Sequence, residues 1–511
     1  MSTRRGWDFC FCRVIRDNNI AIFRQIYLQI RSAILSGSLR PETKLPSTRD
    51  LASALNVSRA SVVDAYEQLL AEGYTFSKAG SGTYISPGSL RAAEPSRSRN
   101  NRQHIGHNRR IPTHSPILDK SLEFTSLGGE RPFSMGRVSL DEHAVQALRK
   151  IGYRACRSVA HPRHLGYSDP CGFIELREAL CEFLYASRAV KCGPEQIVIT
   201  TGARQGIDIA IRVLLAPGEK AWVEDPGHLW AHSALMAAHA EVYPVPVDEQ
   251  GIDVETGIML APNAKAVFLT PSHQFPTGVT LSMARRRALL AWARETGGWI
   301  VEDDSGSEFS YSGHLLPSLQ GLDNDECVIY VGTLNKALFP GIRLGYMVVP
   351  HTLIPAFTGI RSLIGAHPST ISQAILTEFI GQGHLAVHIR RMRNRYRYQR
   401  DMVAAELSRQ VGTMVKVQAM DQGTHLVAYL DKVSDVDVEI AARQNGVTVR
   451  ALNPLYKAAP PRSGIILGFS GHPDRTSIAA AERLARIIRF QYERAADLAR
   501  ASPERVARSE A

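Results

Sequence analysis

The chain has 511 residues, 44% of them apolar and 21% charged, too long for one ordinary domain and apolar enough to bury a large core. No run of 18 or more apolar residues occurs, which excludes a membrane span. The net charge of +11 is uneven: residues 1–120 hold 18 Lys and Arg against 9 Asp and Glu, the remaining 391 hold 42 against 40, and a basic module on a near-neutral body suits docking on a polyanion.

The N-terminus carries basic residues, but its apolar stretch is too short for a signal peptide. Residues 21–36 then place Ile22, Ile26, Ile30, Ala33 and Ile34 on one helical stripe that ends at Gly37. Ser47 is placed to cap a second, short helix with Asp50 three residues on, and Leu51 and Leu55 point inward. The chain breaks at Asn56-Val57, and Ser58 caps a third helix with Val62, Tyr66, Leu69 and Leu70 expected inside. Two β-prone stretches around Lys78-Ala79-Gly80-Ser81-Gly82 read as a wing. Two short helices joined by a tight turn describe a helix-turn-helix, whose second helix presents Arg59, Ala60, Ser61 and Val63 to a major groove.

On the run from Leu39 to Ser86, the chain resembles the winged helix of GntR-type regulators over the whole of residues 20–86. That resemblance implies double-stranded DNA as partner, with contacts from Ser47, Arg49, Ser58, Arg59, Ser61, Lys78 and Gly82. Which of Arg49 and Arg59 reads bases stays open. The module is bounded at 19–87. Residues 88–121 are polar and basic, almost free of aromatics and without periodicity, which predicts a flexible linker.

From 122 to 490, short β-rich runs (IVIT, AWVED, AVFLT, GWIVEDD, VIYVG) alternate with amphipathic stretches, the pattern of an α/β domain with a mostly parallel sheet. Lys336 follows VIYVG in apolar surroundings, which suits an imine with an aldehyde cofactor because desolvation disfavours the ammonium form. Arg343, seven residues on, offers a forked donor pair to a phosphate. Three more motifs end strands of the same sheet. Thr201-Gly202-Ala203-Arg204-Gln205 opens a helix with free amides, Glu302-Asp303-Asp304 supplies a carboxylate, and Thr270 to Gly278 forms a turn.

The region 122–490 resembles fold-type I aminotransferases, with a large α/β domain and a smaller α+β domain. Together with the winged helix, the whole chain resembles the MocR branch of GntR regulators. The stretch His164 to Gly172, VEDPG at 223–227, TPSHQFPTG at 270–278, VEDD at 301–304 and GTLNKALFPGIRLGY at 332–346 carry the likeness. It implies pyridoxal 5'-phosphate as cofactor, Lys336 as its Schiff-base lysine, and a phosphate cup of Thr333, Arg343 and the amides of Ala203 and Arg204. Asp303 is implied for the pyridine nitrogen and His228 for the ring face. It also implies a homodimer on paired promoter half-sites, in a bacterial cytoplasm and at the nucleoid when DNA-bound.

Several positions depart from the aminotransferase pattern. His228 replaces a larger aromatic ring, Ser305 a tyrosine, Phe275 an asparagine and Asn335 a serine, and Gly464 to Phe469 is aliphatic where aminotransferases carry a carboxylate-binding arginine. A transaminase depends on that orientation and on a tuned imine. The expectation is therefore a regulator that senses the cofactor, an amine or an amino acid, with weak or absent transamination. An active aminotransferase tethered to a DNA-binding module is the alternative. Seven unpatterned cysteines read as free thiols in a reducing compartment, and the 17 histidines include no HExxH, so no metal is expected.

Overall fold

Ser47 Oγ accepts the Asp50 amide (3.2 Å) and Ser58 Oγ the Ser61 amide (3.2 Å), so each hydroxyl satisfies one orphan donor at the start of a helix. These caps begin Thr48–Leu55 and Arg59–Ala71, which pack with Ile22–Leu35 around Ile26, Ile30, Ile34, Leu51, Val62 and Leu69. The expected inward Leu70 is a correction. It is 45% exposed, because it lies on the helix face turned away from that core. Thr75–Lys78 and Gly82–Ile85 form the antiparallel wing, with Lys78 opposite Gly82. The computed structural model describes residues 13–16, 20–87, 129–311 and 316–507. The expected linker at 88–121 and the domain start at 122 lie outside them.

The chain divides into two compact units, 1–110 and 111–511. The larger carries an eight-stranded sheet in the order Ile197–Thr200, Gly345–Val348, Val328–Thr333, Trp299–Asp303, Ala266–Leu269, Lys220–Asp225, Glu241–Asp248, Gly251–Ile252. The five strands from Val328–Thr333 to Glu241–Asp248 pair in parallel, and Gly345–Val348 runs against both of its neighbours. The four of them from Val328–Thr333 to Lys220–Asp225 are almost wholly buried and need cover on both faces. Helix Ala203–Leu214 covers one side, and helix Ile174–Arg188 packs over Ile197, Ile199 and Tyr330.

A second, antiparallel sheet holds Val415–Gln418, His425–Leu430, Gly464–Gly468 and Arg450–Ala451. It packs on helices His384–Val411, Asp435–Gln444 and Asp474–Ala507. The domain end expected at 490 falls inside that last helix. Asp225, at the carboxyl end of its strand, ties the two sheets together by accepting the amides of Lys457, Ala458 and Ala459 at 2.7, 2.7 and 2.6 Å. Asp225→Ala leaves three part-buried donors to find water, so the cost is at the low end of the roughly 1–3 kcal/mol of a buried unsatisfied group. Its urea midpoint is expected to fall clearly, and that of Asp225→Asn, which keeps one acceptor oxygen, to fall less.

Candidate functional site

Parallel strands end on the same side, so Thr200, Thr333, Asp303, Leu269 and Asp225 deliver their following loops to one edge of the large sheet. Lys336 sits in the loop after Val328–Thr333, and its Nζ donates to Ser305 O at 2.9 Å. Ser305 N in turn donates to Asp303 Oδ1 at 3.0 Å. Asp303 is 8% exposed; burial raises its carboxyl, against the opposing pull of Ser305 and Lys336. Ser305, two residues after Asp303, thus links the amine to the buried carboxylate across two strand ends, as the strand-end motifs implied.

The helix start at Gly202-Ala203-Arg204 lies beside them. Gly202 has φ +120°, a conformation open to glycine, and a Cβ there would stand 3.2 Å from Asn335 Nδ2. Gly345 approaches still closer, since a Cβ on it would lie 2.7 Å from the Gly202 backbone. The Ala203 and Arg204 amides, in the first turn, have no intrahelical acceptor. Arg343 is exposed and left-handed at φ +51°, a backbone that costs a non-glycine residue of order 1 kcal/mol and gathers at ligand sites. Burial lowers Arg204, and Arg343 nearby lowers it further. Two guanidinium groups brought together beside free amides make a place for an anion. Thr333 belongs to the same turn, but its hydroxyl accepts the Asn335 amide (3.2 Å) and donates to Leu344 O (3.3 Å), so here it fixes the loop's shape.

Lys336, Arg204, His228, Phe275, His425 and Arg450 line one cavity of about 200 Å³. His228 stacks on Phe275, with centroids 4.1 Å apart and planes 5° from parallel, a pairing the sequence did not announce. His273 and His425 stand 4.9 Å apart behind them, and neither ring nitrogen of His273 has a partner. Burial, then Lys336 and Arg204, hold His228 well below the usual histidine range, and burial, then His425, does the same to His273. Residues 273 and 425 are distant in sequence, so only folding brings the rings together. One side of the site rests on Arg188, whose guanidinium grips Asp304 (2.6 and 3.0 Å) and Ser272 (2.6 Å). Burial works to raise Asp304, but Arg188 outweighs it and holds that carboxyl below the ordinary range.

In the winged helix, Ser47, Arg49, Ser58, Arg59, Lys78 and Gly82 are exposed and Ser61 half-exposed. Arg59 Nε donates to Thr48 Oγ1 at 3.3 Å, linking the starts of the two short helices. Lys44, missed in the sequence, bridges to Tyr84 of the wing and lies with Lys78 over that ring, at 5.9 and 5.0 Å from its centroid. Its only sequence signal was its place two residues before Pro46.

The family model for aminotransferase class I and II matches residues 129–484, and that for bacterial regulatory proteins of the gntR family matches 23–85. The probable rhizopine catabolism regulatory protein MocR of Rhizobium meliloti is 35% identical over 474 residues, 90% of this chain and 92% of that protein. The chain belongs to the MocR-type GntR regulators. The pyridoxine biosynthesis transcriptional regulator PdxR of Corynebacterium glutamicum is 32% identical to this MocR-type chain over 88% of it and 92% of the relative. Among solved structures, the multiple substrate aminotransferase of Thermococcus profundus matches with a TM-score of 0.67 and 25% identity, over 75% of this chain and 98% of that one. The fold is thus that of aminotransferases whose members bind pyridoxal phosphate, joined to a regulator's DNA-binding module. No helix among the described residues is long and apolar enough to cross a membrane, and none of their His, Cys, Asp and Glu groups is arranged to hold a metal.

Burial puts His425 at about 4, below its ordinary 6.5. The unfolded chain then binds more protons below pH 6.5, so this group's contribution to stability is lost as pH falls towards 4, by up to about 1.4 kcal/mol per pH unit. Glu224 and Glu308, raised to about 7 by burial, act in the opposite direction between pH 7 and 4.5. The diagnostic quantity is therefore a difference. The unfolding free energy of His425→Gln minus that of wild type is expected to rise as pH drops from 6.5 to 4, as measured by urea titration.

Proposed function

We propose that this regulator binds pyridoxal 5'-phosphate at Lys336 and converts the state of that site into a change in DNA binding. The observation that carries the reading is the convergence of Lys336 Nζ, the buried Asp303 carboxylate, and Arg204 and Arg343 beside free helix amides. Those groups fit a molecule with an aldehyde, a basic ring nitrogen and a phosphate. When bound, such a group supplies a covalent attachment point and an electron-withdrawing ring.

The chain's own residues then have distinct tasks. The Ala203 and Arg204 amides and the two guanidinium groups hold the anionic end. Asp303, raised by burial yet drawn down by Lys336, holds a proton on the ring nitrogen. His228 supplies a flat face, at present shared with Phe275. Thr333 keeps the Lys336 loop in shape. The Ser305 carbonyl holds the lysine amine towards the carboxylate in the absence of an aldehyde. An external amine or amino acid competing for the aldehyde would release Lys336, and a ligand shifts a regulator only through such differential binding. A homodimer would carry two winged helices to paired half-sites, where exposed Arg49 and Arg59 reach the groove and Lys78 the phosphates.

A second reading, an active aminotransferase on a DNA-binding module, is favoured by one observation. Arg450 lines the Lys336 cavity from a strand paired with Ile466, giving that wall a cation able to meet a carboxylate. Rapid conversion of ordinary amino acids by the cofactor-loaded protein, lost in Arg450→Ala, would favour it over the regulator reading.

Titrating pyridoxal phosphate into the full chain is expected to raise an imine absorbance band in wild type and none in Lys336→Ala; the same band in both contradicts the cofactor reading. In anisotropy titrations with the upstream duplex, Arg59→Ala is expected to weaken binding about 10- to 100-fold with relaxed sequence preference. Lys78→Ala is expected to weaken all sequences alike and reduce the salt slope by about 1.

A further inference from the structure

Two of the cysteines that read as scattered thiols meet in the fold. Cys181, on helix Ile174–Arg188, and Cys192, on the extended segment before Ile197–Thr200, are half-buried, with their sulfurs 3.6 Å apart. A disulfide needs about 2.05 Å, so bonding requires the sulfurs to close by roughly 1.5 Å. The helix fixes Cys181, and Cys192 sits outside any regular element with room to move. Cys192 also lines an open hollow of about 370 Å³ with Lys191, Gln320 and Asp323, so small molecules reach the pair from the Cys192 side.

We propose that Cys181 and Cys192 are a peroxide-oxidised thiol pair that closes to a reversible disulfide and is linked through Arg188 and Gln320 to the strand that carries Asp303. The two thiols share one contact in which either sulfur can donate, so a thiolate on Cys181 accepts from Cys192. Cys181, fixed by the helix, is taken as the attacking sulfur, and Cys192, outside any regular element, as the resolving one. The Cys181 thiolate attacks one peroxide oxygen, the O–O bond breaks, and the departing hydroxide takes a proton to become water. Cys192 then attacks the sulfenic sulfur, the S–S bond forms, and the sulfenic oxygen leaves as a second water. Two thiols and one hydrogen peroxide thus become one disulfide and two waters, the two sulfur electrons going to oxygen. Thiol exchange reverses it.

The position gives this closure a route to the site. Seven residues along the same helix, Arg188 grips Asp304 and Ser272. On the other side, Lys191 N donates to Gln320 Oε1 (2.9 Å) and Gln320 Nε2 to Lys191 O (2.7 Å), while Gln320 N donates to Glu302 Oε2 (3.0 Å). Both flanks of the pair therefore lead to Glu302 and Asp304, which bracket Asp303. A bond between the sulfurs ties these two flanks to each other.

The test is non-reducing peptide mapping of the full chain after hydrogen peroxide and alkylation. Tryptic peptides 178–188 and 192–204, which carry the two cysteines, are expected to appear joined, with two free thiols lost and regained on dithiothreitol. In Cys192→Ser, dimedone is expected to label Cys181. Hydrogen exchange in the oxidised wild type is expected to slow around Arg188 and Gln320. The two peptides staying separately alkylated once exposed Cys156 has been oxidised overturns the proposal. A joined pair with unchanged exchange overturns the route to the site.

Discussion

The organisation of the large unit depends on one geometric constraint. Five neighbouring strands that pair in parallel must leave their carboxyl ends, and the loops that follow, on one edge of the sheet. That edge collects a helix start with unsatisfied amides, a buried carboxylate and a lysine loop, none of which is close to the others in sequence. Backbone left unpaired there is free to meet a ligand. The reversed strand Gly345–Val348 serves the same edge, because its first residue packs on Gly202 and its preceding turn carries the strained Arg343.

Electrostatics then sets the two neighbouring carboxyls apart, Asp304 lowered and Asp303 raised. Asp304 is neutralised by Arg188 and by the Tyr330 hydroxyl, which donates to it at 2.7 Å, so it serves as a brace. Asp303, one residue before it, accepts the Ser305 amide at Oδ1 and lies near Lys336. Successive residues at a strand end turn to opposite sides, so Asp304 is held in the wall by Arg188 while Asp303 lines a pocket with His228, Glu224 and Thr270. The histidines behind them are held neutral by burial and by nearby cations, so they add ring faces and hydrogen-bonding nitrogens to the site without adding positive charge.

Much of this was legible in the sequence because it is local. The five β-rich runs named there are all strands of the large sheet, since each combines β-branched residues with a turn that ends it. Ser47 and Ser58 were legible as caps for the same reason, and the motif around Lys336 carried its position. What escaped depends on chain segments meeting. The His228–Phe275 stack, the His273–His425 pair, the Arg188 brace and the Cys181–Cys192 contact join residues whose spacing follows no period. Leu70 failed differently. Leu69 lies on the stripe with Val62, Ala65 and Tyr66, and the next 100° of helix turn carries Leu70 past the edge of that stripe.

Coupling between the Lys336 site and the winged helix is the claim on which the functional account stands. It is tested most directly by measuring the affinity of the full chain for its upstream duplex at fixed salt, with and without pyridoxal 5'-phosphate, in wild type and Lys336→Ala. A shift in wild type that vanishes in the variant is the predicted result. Identical affinities in wild type across saturating cofactor would contradict it.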